Sequence, residues 1–181
     1  MSSLRLDYQR LIVRQTPGTV LNVGCNTDPA NLQKIFGRRR VTNHDFIKYD
    51  EWLKVDLPVD VVFDISEKWP AGKGAFDLIV MGDILEHVEE PQAIFALGEA
   101  RRVGKKLCIT VPNDTRLGPG WNSDGTRRPE SEWVEAPGSY HVQTVTEEKL
   151  RGWLEDTNWH ITDFKKVPYG FCPEGYFVTA E

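Results

Sequence analysis

Apolar positions recur along the chain with two spacings, and the spacing decides which element each stretch predicts. Leu4, Tyr8, Leu11 and Ile12 fall one helical turn apart, so residues 3–15 read as an amphipathic helix. The Thr16-Pro17-Gly18-Thr19 run breaks it. β-rich runs follow at 19–23 (TVLNV), 40–46 (RVTNHDF) and 59–65 (VDVVFDI). Residues 76–81 (FDLIVM) are almost wholly apolar, the composition of a strand buried on both faces of a parallel sheet. A fifth strand is predicted at 106–111 (KLCITV). Helical stretches intervene. Asp28-Pro29 supplies an N-cap and a first helical residue for a helix that stops at Gly37. Residues 91–103 set Ala93, Leu97 and Ala100 on successive turns. Thr146 opens a helix to about Asp156, with Glu147 and Glu148 at its positive end. Two β-rich runs, 159–167 and 176–180, come last with no helix between them, which predicts an antiparallel hairpin.

Strands alternating with helices specify βαβ units. The expected fold is α/β: one Rossmann-like, doubly wound domain over residues 1–181, with a mostly parallel seven-stranded sheet and an antiparallel C-terminal hairpin strand. Outside that core lie the N-terminal helix (1–15) and residues 112–140. The latter stretch holds four Gly, four Pro and both Trp121 and Trp133, and reads as a long loop or lid. Loops of that length in a small domain are usually functional or disordered.

Composition narrows the partners. With 22 Lys+Arg against 27 Asp+Glu the net charge is −5, which argues against duplex nucleic acid, a ligand that needs a basic face. Arg38-Arg39-Arg40 reads as a solvated turn. No apolar stretch approaches the roughly 18 residues of a membrane span, and the first 14 residues lack a signal-peptide core, so no membrane partner is expected. Cys25, Cys108 and Cys172 are odd in number and lack metal-ligand spacing. They fit reduced thiols and a cytoplasmic location, and no metal site is expected.

Ligands of a doubly wound sheet bind at the carboxyl ends of its strands, near the point where strand order reverses. The predicted strand ends are Gly24-Cys25-Asn26-Thr27-Asp28, Asp45-Phe46, Asp64-Ile65 and Met81-Gly82-Asp83. Gly24 permits close backbone approach, and Asn26 tolerates a left-handed conformation. Asp45 lies 21 residues after Gly24, an offset suited to accepting hydrogen bonds from a ribose diol. Alone, each position reads as a turn glycine or a solvated acid; together they mark one edge. A dinucleotide fits poorly there. Asp28 would repel a pyrophosphate from the helix N-terminus, Pro29 removes a donor, and two glycines of G-x-G-x-x-G are missing. A cationic nucleoside without phosphate meets none of these objections.

Residues 20–28 (VLNVGCNTD), 59–65, 76–91 (FDLIVMGDILEHVEEP), 109–113 (ITVPN) and 141–154 resemble class I S-adenosylmethionine (SAM)-dependent methyltransferases, and within them the small group carrying Leu-Glu-His after the fourth strand. The resemblance spans roughly 19–180 and is most specific in FDLIVMGDILEHVEEP. It implies SAM as cofactor and methyl transfer to an oxygen or nitrogen of a small-molecule acceptor. By that resemblance Asn22, Gly24, Cys25 and Asn26 face the methionine part of SAM, and Asp45 with Phe46 the ribose. Asp64 and Ile65 hold the adenine edge, while Met81 and Gly82 line the methionine end. His141 and His87 are the histidines nearest the expected site and the candidate catalytic bases; His87 also reads as a structural hydrogen-bonding residue. His44 and His160 read as strand or surface residues. Trp121, Trp133 and Tyr140 are candidate acceptor contacts. The chain departs from the family at Asn22, where an acid is usual, and at Asn26 and Asp28, where glycines are usual. Two other readings stay open: a methyltransferase-like binding or scaffolding subunit, and an enzyme using a nucleotide or nucleotide sugar in the same crevice.

Overall fold

Alternation inside the apolar strands gives the sheet two dry faces. The computed structural model of the chain describes residues 4–26, 29–50, 54–113, 141–169 and 172–181. Its central strands are β1 (Val20–Val23), β2 (Val41–Asp45), β6 (Phe76–Gly82) and β7 (Gly104–Pro112). Leu21, Val23, Ile79 and Met81 point to one face and pack against Ala93, Ala96, Leu97 and Ala100 of α3 (Glu90–Val103) and Leu150, Trp153 and Leu154 of α4 (Glu147–Asp156). Val20, Leu78, Val80 and Cys108 point to the other, against Tyr8 and Val13 of α1 (Leu4–Gln15) and Leu32 of α2 (Leu32–Phe36). Each Leu or Ile fully removed from water here contributes about 1.5–3 kcal/mol. Three alanines on one face of α3 let that helix lie close to the strands.

The seven-stranded sheet has the order β5-β2-β1-β6-β7-β9-β8, with β5 at Val61–Val62, β8 at Ile161–Tyr169 and β9 at Cys172–Ala180. Five strands run parallel, and β9 pairs antiparallel with both β7 and β8. The expected α/β sheet with its antiparallel C-terminal hairpin is therefore what the chain forms. Strand order reverses between β1 and β6, whose register sets Val23 opposite Met81. Their carboxyl ends open onto one edge.

Local chemistry moves several boundaries. The first βα connection does not become helical at Pro29: Pro29 and Ala30 sit in a turn and Asn31 is left-handed (φ 52°), so α2 starts at Leu32. The expected Asp28 cap lies outside the described residues. The third predicted strand, 59–65, keeps only Val61–Val62, because side chains enter the pairing at both ends. Asp60 accepts the Asn43 N–H through its carboxylate (2.9 Å), the Phe63 carbonyl turns to the His44 ring (2.8 Å), and Asp64 folds into a turn with Ser66. A small antiparallel ribbon, β3 (Tyr49–Asp50) with β4 (Val55–Asp56), was not legible in the pattern. The predicted lid at 112–140 falls almost wholly outside the described residues. Among the described residues no helix is long and apolar enough to cross a membrane.

Candidate functional site

Three strand ends are tied together by two adjacent side chains of β2. Asp45 is buried, and its carboxylate accepts the Asn26 N–H (2.8 Å) with one oxygen and the Phe46 N–H (2.8 Å) with the other. This holds the turn after β1, where Gly24 (φ 65°) and Asn26 (φ 45°) are both left-handed, against the end of β2. His44, beside it, stacks on Phe63 with ring centroids 3.5 Å apart. Its Nδ1 accepts the Gly24 N–H (3.4 Å) and its Nε2 lies 2.8 Å from the Phe63 carbonyl, an arrangement that needs the neutral Nε2–H tautomer. Burial lowers its pKa to about 4, consistent with that state. His44 is thus a buried strand residue that fastens β1 and β5 to β2. Nothing in the sequence separated it from a surface histidine.

The rim of this edge is mixed. Phe46 is half exposed, Val62 is exposed, and Ile65 is buried. Asp64 is exposed, and its Oδ1 accepts both the hydroxyl (2.6 Å) and the N–H (2.8 Å) of Ser66, which lowers its pKa. Asn22 is buried and bonded within the sheet. Its Nδ2 donates to Oδ1 of Asn43, its register partner on β2 (3.0 Å), and the Asn43 amide donates to the Pro58 carbonyl (3.0 Å). Cys25 is buried, with Sγ 3.4 Å from the Asn26 carbonyl. Met81 is buried inside the sheet, while Gly82 sits under α1. There the Gln9 amide donates to the Thr110 hydroxyl (2.8 Å) in the space a side chain at position 82 would take. Arg5 and Tyr169 both contact the Asp83 carboxylate, so α1 lies across the carboxyl end of β6.

Both predicted histidines come together beyond that end. Leu85–His87 forms one 3-10 turn, and the Glu86 side chain it carries is 1% exposed. Glu86 Oε1 lies 3.8 Å from Nε2 of His87 and 3.8 Å from Nε2 of His141. The two imidazoles meet edge to face, centroids 5.0 Å apart. His141 is delivered by a clamp. Val142 N–H donates to the Glu86 carbonyl (2.9 Å), and the buried Gln143 amide donates to the carbonyls of Leu85 (3.1 Å) and Val88 (2.7 Å). At the other end of the intervening segment, Asn113 donates to Glu174 through its backbone (3.0 Å) and side chain (3.1 Å), and to the Tyr176 hydroxyl (3.0 Å). His160 is exposed and remote. Thr27, Asp28, Trp121, Trp133 and Tyr140 lie outside the described residues.

A family model described as a methyltransferase domain matches residues 3–163. The chain belongs to that family. Its members are SAM-dependent methyltransferases, so the chain is an enzyme of that kind and its cofactor is SAM. No curated protein matches the methyltransferase chain by sequence. Among solved structures it is similar to the Burkholderia thailandensis 1,6-didemethyltoxoflavin-N1-methyltransferase, crystallised with 1,6-didemethyltoxoflavin and S-adenosylhomocysteine. Identity is 17% over 99% of this chain and 78% of that one, with a TM-score of 0.68. A SAM-dependent methyltransferase from Aquifex aeolicus is 21% identical over 98% of this chain and 90% of that one, with a TM-score of 0.59. The [4+2]-cyclase SpnF shares the fold too, at 16% identity over 97% of this chain and 79% of that one, with a TM-score of 0.62. At these identities the likeness shows the fold, and a fold alone does not name an acceptor.

Proposed function

We propose that this methyltransferase modifies an oxygen or nitrogen atom of a small-molecule acceptor held beside Glu86, His87 and His141. The observation that carries the reading is the pair of imidazoles facing one buried carboxylate, each at 3.8 Å, beyond the strand end that closes at Gly82 and Asp83. The strand-end donor set fits SAM. It offers acceptor-only carboxylates at Asp45 and Asp64, a half-exposed aromatic face at Phe46, and acids rather than bases, which suits a cation better than a phosphate. Asp45 and Phe46 are assigned to the ribose, and Asp64 with Ile65 to the adenine edge. The methionine part falls to Gly24, Cys25, Asn26, Met81 and Gly82, with Asn22 supporting them from β1. When bound, SAM supplies an electrophilic methyl group on a sulfonium.

The chain's own residues position the acceptor and take its proton. An Nε2 lone pair on His141 or His87 accepts the proton of an acceptor O–H or N–H, and Glu86 stabilises the imidazolium that results. Trp121, Trp133 and Tyr140 are assigned to the acceptor on sequence grounds alone. A small acceptor is supported by the 1,6-didemethyltoxoflavin bound to the Burkholderia relative. A reducing, cytoplasmic location is supported by the buried Cys25 and Cys108 thiols, the latter pushed up to about 12 by burial.

Calorimetry with SAM and S-adenosylhomocysteine tests the assignment. Wild type binds both, and Asp45→Ala and Asp64→Ala each weaken binding at least about 10-fold, the loss of roughly one charge-assisted hydrogen bond. No binding at millimolar ligand, or unchanged affinity in both variants, would sink the cofactor assignment.

A further inference from the structure

We infer that Glu86, His87 and His141 form a binding site for a divalent transition-metal ion, with open coordination positions toward the crevice. Each of the three side chains offers one ligand atom, and these atoms lie within 4.8 Å of one another. Ligand atoms around an ion at about 2.0–2.2 Å are separated by roughly 3 Å when adjacent and 4.0–4.4 Å when opposite. The two Oε1···Nε2 separations of 3.8 Å fall inside that interval and are too long for a carboxylate–imidazole hydrogen bond. Modest rotation of the two part-exposed imidazoles closes the set.

The chemistry of the cluster points the same way. The Glu86 carboxylate is 1% exposed and faces two imidazoles, and a carboxylate and neutral imidazoles are together ligands of divalent transition-metal ions. Two histidines and one carboxylate with open positions is a donor set for Mn²⁺, Fe²⁺, Co²⁺, Ni²⁺ or Zn²⁺ rather than for Ca²⁺ or Mg²⁺. The backbone is built to hold it. The Val142 N–H and the Gln143 amide fix the His141 segment to the turn that carries the other two ligands. Gln143 is a supporting residue of the kind that surrounds metal ligands, spending a buried side chain on positioning. Ion binding itself does not depend on methyl transfer. Its consequence for the acceptor rests on the function proposed above: an ion held on both Nε2 atoms takes the place of the free imidazole base there, and favours an acceptor with an oxygen ligand such as a hydroxyl.

The test uses the full chain stripped with a chelator and titrated with Co²⁺, read by visible d–d absorption, with Zn²⁺ and Mn²⁺ competition by calorimetry. One Co²⁺ per chain, with Kd below about 10 µM, is expected. His141→Ala and Glu86→Gln should each weaken binding about 10–100-fold or more, and Gln143→Ala about 10-fold. Circular dichroism checks each fold. Should Glu86→Gln not fold, His87→Ala and His141→Asn carry the same prediction at part-exposed positions. Folded wild type that takes up no Co²⁺, Zn²⁺ or Mn²⁺ at 10-fold above that Kd overturns the inference, as do variants that bind like wild type. A parallel SAM titration keeps the two readings apart. SAM binding without metal uptake overturns only the metal site, and metal uptake without SAM binding overturns only the cofactor assignment.

Discussion

Lowering the pH below about 6.5 should loosen this protein through His44. The ring is neutral in the fold, with a pKa moved by burial from 6.5 to about 4, while the unfolded chain keeps the ordinary value. Between those values the unfolded state binds the extra proton, so stability is full above about pH 6.5 and falls as pH drops toward 4. At 1.36 kcal/mol per pK unit, the loss between pH 6.5 and 4.5 is about 2 kcal/mol. That is a large fraction of a typical net stability of roughly 5–15 kcal/mol. With a urea m-value of about 2 kcal/mol/M, the midpoint moves down by roughly 1 M. Urea unfolding followed by circular dichroism at half-unit pH steps measures it, with His44→Phe alongside. Phenylalanine keeps the stack on Phe63 but carries no proton, so its midpoint starts lower and stays flatter over the same interval. The two lost hydrogen bonds, to the Gly24 N–H and the Phe63 carbonyl, set that lower start. Parallel pH curves for wild type and His44→Phe would refute the reasoning.

Two further substitutions test the first turn. Gly24→Ala places a Cβ 2.6 Å from Ile84 Cδ1 at a φ of +65°, and should cost about 2–3 kcal/mol in thermal or urea unfolding, with Ile84→Ala recovering part of it. Asn22→Asp restores the acid usual in the family, but sets a buried carboxylate against Asn43 Oδ1. It should lower stability by about 1–3 kcal/mol at pH 7, an effect that shrinks as pH falls and the new acid protonates. An Asn22→Asp chain as stable as wild type at pH 7 would show that the Asn22–Asn43 pair is not what fixes the residue.

What was legible in the sequence was whatever repeats with a short period. The 76–81 run announced a strand buried on both faces, and β6 carries Leu78 and Val80 to one core and Ile79 and Met81 to the other. Asp45 and Asn26 were visible as residue types at a strand end, although not that one would bind the other's N–H. What was hidden depended on distant partners. The third strand shortened because Asp60, Phe63 and Asp64 found His44, Asn43 and Ser66, none of which periodicity describes. Asn31 stands outside the helix in a left-handed conformation, where the Asp28-Pro29 pair had promised an earlier start. The two histidines were singled out by nearness in sequence to a motif. That both face Glu86 required the Val142 and Gln143 hydrogen bonds, which join residues more than fifty positions apart.

Those bonds, with their counterpart at Asn113, bear on how such an enzyme changes its acceptor over time. Asn113 is anchored to β9 and Val142 to the Leu-Glu-His turn, so everything between them leaves from and returns to fixed points. Closing a longer chain between fixed points costs little, about 0.6 kcal/mol for each doubling of length. The intervening segment can therefore be lengthened, shortened or exchanged at small thermodynamic penalty while the sheet stays untouched. With Trp121, Trp133 and Tyr140 assigned to the acceptor as proposed above, acceptor choice is then free to drift independently of the sheet.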